Sequence, residues 1–134
     1  MTAAQRNAAA TTPTAPGSEP TDGRTPLVPR PDRTTAGLRS ALSRLAPHQL
    51  PDMERQMEEA LNLAARSGTL APLTQFLDSW AVTVEITRVP ETAARLREAE
   101  YTVRTAPGDA PAWRTAMNEI RDLRAAAWDA IAAR

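Results

Sequence analysis

His48 is the one imidazole in the chain, and Asp52 follows it by four positions, in a short connector bounded by Pro47 and Pro51. A histidine near a carboxylate can move protons or ligate a metal. A metal site, however, wants three or four convergent ligands, and this segment offers two at best. Base catalysis would need a nucleophile at fixed spacing. Ser40 and Ser43 stand on a different helical segment, without the glycines of a nucleophile elbow. His48 therefore reads as a surface histidine.

Carboxylates are the next group with chemical potential. Glu54, Glu58 and Glu59 crowd one helical stretch around Arg55, but a paired-acid hydrolase needs a cleft that a thin helical bundle seldom offers. They read as a solvated acidic face or, together with Asp52, Glu85, Glu98 and Glu100, as an acidic recognition surface. Gly68 and Gly108 are isolated turn residues, so there is no Gly-rich phosphate loop. The chain has no Cys, which removes thiolate chemistry and disulfides. These residues point away from an enzyme and from any cofactor or metal, towards a binding protein.

The elements that must position them divide the chain near Thr34. Residues 1–33 hold Pro13, Pro16, Pro20, Pro26, Pro29 and Pro31 among Thr and Ala, with Leu27-Val28 the only apolar pair. Such a stretch buries too little to offset its ordering entropy, so 1–33 is expected to be a disordered tail. Residues 34–134 are expected to form one all-α domain, a small bundle of about five helices. Thr34 or Thr35 caps the first, with Leu38, Leu42 and Leu45 on a stripe and Pro47 stopping it. Pro51 opens the second, whose inner face is Met53, Met57, Ala60, Leu61 and Ala64, and Gly68 ends it. Pro90 opens a fourth, with Ala93, Leu96, Ala99 or Tyr101, and Val103 inward. Pro111 opens a last helix to about Ala133, roughly 34 Å long. Its heptad-like seam is Trp113, Ala116, Ile120, Leu123, Ala127 and Ala130, with Met117 and Ile131 beside it. That helix is expected either to lie across the other four or to support a homodimer through 111–133, with Trp128 off the seam as a contact.

Segment 70–89 is ambiguous. Leu73, Phe76, Leu77, Trp80 and Val84 share a helical face, whereas Trp80, Val82, Val84 and Ile86 alternate as in a strand. Helix is favoured because the chain offers no second strand to pair with.

Charge is balanced overall, sixteen basic against sixteen acidic residues, with Arg at every basic position. Its distribution is uneven. Residues 1–46 carry six Arg against Glu19, Asp22 and Asp32, a net of +3, while residues 47–100 carry nine acids against five Arg, a net of −4. That pattern suits a basic protein partner better than a polyanion. No apolar run reaches the roughly 18 residues of a membrane span, and Gln5, Arg6 and Asn7 interrupt the start, so a cytoplasmic protein is expected.

From Leu38 to Glu100 the chain resembles a family of small actinomycete proteins known only as a domain of unknown function. The likeness rests on Leu38-Arg39-Ser40-Ala41-Leu42, on Met53-Glu54-Arg55 through Glu59-Ala60-Leu61, and on Leu70-Ala71-Pro72-Leu73 followed by Phe76-Leu77-Asp78-Ser79-Trp80. It continues through Thr87-Arg88-Val89-Pro90 and Ala94-Arg95-Leu96-Arg97-Glu98-Ala99-Glu100. It covers about half of the chain and includes no catalytic motif. The resemblance implies helix for 72–88. Members tend to neighbour RelE/ParE-like toxins, which implies an antitoxin-like role with a basic toxin as partner. This chain departs from the family at Val89 and Thr69, where acids are common. Thr69 can still cap a helix and Val89 cannot.

The expectation is thus a non-catalytic protein-binding domain. Its contact residues would be Asp52, Glu54, Glu58, Glu59, Glu98 and Glu100, with Trp80 and Trp128 as aromatic anchors helped by Met53, Met57 and Phe76. The alternative is a DNA- or RNA-associated regulator using Arg24, Arg30, Arg33, Arg39 and Arg44, a footprint diluted by prolines and Asp32.

Overall fold

Five helices among the described residues carry the apolar pattern: α1 (Thr35–Leu45), α2 (Leu50–Ser67), α3 (Ala71–Thr87), α4 (Pro90–Thr105) and α5 (Pro111–Ala132). A short 3-10 turn, Pro47–Gln49, joins α1 to α2. The structure is a computed structural model and describes residues 23–133. No strand occurs among them, and none of their helices is long and apolar enough to cross a membrane.

Local signals set most boundaries. The Thr34 hydroxyl accepts the Gly37 N–H at 3.0 Å and caps α1. Gly68 ends α2 with φ 75°, a left-handed backbone that glycine adopts without a Cβ penalty. Prolines stand in the first turns of α2, α3, α4 and α5, where their missing N–H is not needed. One expected cap is corrected. α3 begins at Ala71 after Leu70, with no side-chain cap, and Thr69 instead turns back to Ser67.

α3 is the axis of the bundle. It packs against α1, α2, α4 and α5, whereas α2 touches neither α4 nor α5. Phe76, Trp80, Ala81, Val82, Val84 and Ile86 are consequently all buried. A helix enclosed on several sides buries residues around most of its circumference, and this produces the strand-like alternation while the backbone stays helical. Against it pack Leu38 and Leu42 of α1, Met53 and Ala60 of α2, and Leu123, Ala127 and Ile131 of α5. Full burial of each leucine is worth about 2 kcal/mol. Two expected inner positions lie outside: Leu61 and Tyr101 are exposed, and Ala99 takes the inward place on α4. The α5 seam faces α3 and α4 rather than crossing all the helices.

The expectation of a disordered tail needs division. Residues 1–22 lie outside the described residues. For 23–33 it is corrected, because this stretch is a strap docked over the α3–α4 junction. Val28 is buried in the core. The Leu27 N–H donates to the Arg88 carbonyl at 2.7 Å, and the Gly23 carbonyl accepts the Glu91 N–H at 2.7 Å. The strap thereby serves both helix ends at a junction where Val89 offers no side-chain cap. Thr92 adds hydroxyl bonds to the Ile86 and Val89 carbonyls, at 2.6 and 3.1 Å. Composition misjudged the strap because its ordering is provided by surfaces far along the chain, while Pro26, Pro29 and Pro31 reduce the entropy it loses.

Candidate functional site

Because α2 and α4 do not touch, a cleft of about 400 Å³ opens between them over α3. Its floor is Ser79, Trp80, Thr83 and Thr87 of α3. Asp52 and Gln56 form the α2 wall, Arg97 and Glu100 of α4 with Arg124 of α5 form the opposite wall, and His48 and Gln49 close one end. A shallower groove of about 350 Å³ between α2 and α3 adjoins it and shares Gln56 and Ser79.

Hydrogen bonds fix the α2 wall. The buried Trp80 donates its indole N–H to Gln56 Oε1 at 3.0 Å, and Gln56 Nε2 donates to Asp52 Oδ2 at 3.3 Å. Arg55 donates to the other Asp52 oxygen, and to Glu59 at 3.0 Å. On the floor, Thr83 and Thr87 donate their hydroxyls to the Ser79 and Thr83 carbonyls. His48 hydrogen-bonds to none of these residues. Ser43 donates to the Ser40 carbonyl, and neither serine lines the cleft. No group of three or more His, Asp or Glu that could hold a metal occurs among the described residues.

The cleft gathers only part of the expected contact surface. Asp52, Trp80 and Glu100 line it together. Trp80 is a core residue, 5% exposed, that also lines the cleft, and Met53 and Phe76 are likewise core. Glu59 lies in the adjoining groove. Glu98 faces a different groove, between α4 and α5, beside Ala99, Thr102 and Ala112. Glu54 is paired with Arg39 at 2.7 Å. Glu58 is exposed on α2. Trp128 is 41% exposed on α5, with the Arg33 guanidinium 5.4 Å above its ring.

Much of the charge asymmetry is resolved inside the molecule. Arg30 pairs with Glu85, Arg33 with Asp78 and Arg39 with Glu54. The basic leading segment is itself a partner of the acidic middle. Glu85 is the most perturbed of these groups. Burial pushes its carboxyl up, but hydrogen bonds from Arg30 and Arg88 outweigh that and hold it at about 2. Arg88, also buried, completes the cluster by donating to the Val28 carbonyl at 3.1 Å.

Sequence reasoning missed Gln56, Arg97 and Arg124. Arg124 alone left a usable signal. It stands four residues after Ile120 and three before Ala127, on the inward stripe, where a charged side chain is out of pattern. Against known proteins, no family model, no curated protein and no solved structure matches the chain.

Proposed function

We propose that this chain is a non-catalytic binding protein of the cytoplasm that receives a basic segment of a partner protein in the cleft between α2 and α4. Glu100, which has no ion pair among the described residues, takes a cationic side chain of the partner, and Asp52 on the opposite wall, already bridged to Arg55, adds its negative field. The observation that carries this reading is their convergence, with Trp80, on one cleft of a size that ligands occupy. Asp52 is held in place by Arg55 and Gln56, so little ordering entropy remains to be lost on binding. Antitoxin-like capture of a basic toxin is one form of this function. The nucleic-acid alternative has less support, since Arg30, Arg33 and Arg39 each already hold a carboxylate.

Affinity purification from the native cells at physiological salt tests the proposal. A basic protein should co-purify with the natural chain and with Glu58→Gln. A double variant, Asp52→Asn with Glu100→Gln, should weaken its binding about tenfold or more, the effect expected for lost hydrogen bonds to charged groups. Recovery of the chain alone, or capture indifferent to the double variant, would refute it.

A further inference from the structure

Four arginines among the described residues are withdrawn from full exposure: Arg30, Arg39, Arg88 and Arg124. Three of them hold a carboxylate, Glu85 for Arg30 and Arg88 and Glu54 for Arg39. Arg124 has no hydrogen bond or ion pair within the described residues, although it is half-buried. A guanidinium in that setting has lost part of its hydration without compensation. It lines the cleft, on the same wall as Arg97, which is equally unpaired.

We infer that this α4–α5 wall is an oxyanion site, with Arg124 its principal ligand and Arg97 its second. The guanidinium presents a planar fork of donors that matches a carboxylate or a phosphate. Two arginines from different helices, Arg124 half-buried and Arg97 exposed, line one cleft over α3. The occupant is a small organic anion rather than a polyanion. Asp52 on the facing wall and Glu100 beside Arg97 repel extended negative charge, and a volume of about 400 Å³ accommodates one compact molecule. This site stands on Arg124 and not on the protein-partner reading, and the isolated chain tests it.

The experiment is a titration of the isotopically labelled full chain with inorganic phosphate and, separately, with succinate at low ionic strength. Side-chain N–H signals of Arg124, Arg97 and Trp80 are followed by NMR. Saturable shifts are expected at millimolar concentration or below for at least one probe, and the tighter of the two names the anion chemistry. Arg124→Gln should weaken binding about tenfold or more, while Arg44→Gln, on the exposed side of α1, leaves it unchanged. If Arg124→Gln fails to fold, Arg124→Lys takes its place. It keeps the charge but not the fork, and should weaken binding several-fold. Shifts that never saturate, or affinity unchanged in the folded Arg124 variant, would overturn the inference.

Discussion

Arg30 and Glu85 stand fifty-five positions apart and meet through two parallel hydrogen bonds, of 2.8 and 2.9 Å. Arg88, which caps the C-terminal end of α3, reaches the same carboxylate at 2.9 and 3.3 Å. One side chain thus joins the strap to the central helix. Its burial means that both guanidiniums depend on its charge.

Replacing that carboxylate gives the first prediction. Glu85→Gln leaves Arg88 buried without its counter-charge and should lower stability by about 3 kcal/mol at neutral pH. The effect depends on pH in a defined direction. The folded carboxyl sits at about 2, below its ordinary 4.5. Its contribution is therefore complete above the unfolded value and disappears as pH falls from about 4.5 towards 2. Urea unfolding of the natural chain and of Glu85→Gln should show the gap between them narrowing over that window. A gap that is constant from pH 6 to pH 2.5 would contradict the pairing.

A second prediction concerns Gly37, in the first turn of α1. An exposed helical glycine usually gains up to about 1 kcal/mol on replacement by alanine. Here a Cβ would lie 2.7 Å from the Asp32 carbonyl oxygen, which is backbone and cannot rotate away. Gly37→Ala should therefore destabilise, by about 1 kcal/mol or more. Chemical denaturation decides the sign.

The third prediction tests the cleft wall. Gln56→Ala removes the acceptor of the buried Trp80 indole N–H. It should cost about 1–3 kcal/mol and shift the Trp80 indole N–H resonance, while the helical content measured by circular dichroism stays the same. An unmoved indole signal would mean that the bond is absent in solution.

Helix boundaries were legible because their causes are local. Thr34, Gly68 and Pro111 act within a turn of themselves, so a linear reading finds them. Val82 and Ile86 were harder, since their burial reflects neighbours on several sides of α3 and alternation alone cannot distinguish that from a sheet face. The strap was illegible by composition, because Val28 and Arg30 are ordered by Arg88 and Glu85, about sixty residues away. The candidate site was legible only as a list of charges. Which carboxylates remain open, as Glu100 does, and which are already taken, as Glu54 is, depends on tertiary pairing. Arg124 is out of pattern on its stripe in the sequence, but its lack of a partner among the described residues is a tertiary fact.

The contacts of α3 with α2 and α4 join neighbours in sequence, whereas the strap must close a loop of more than fifty residues to reach Glu85 and Arg88. Local hairpins assemble first and the long closure follows, since its entropy is lost before any contact compensates it. The strap is then the last segment to seat and the first to lift. Its amides should exchange with solvent through a partial opening well below the energy of global unfolding, intermittently uncovering the end of α3 while the helices hold.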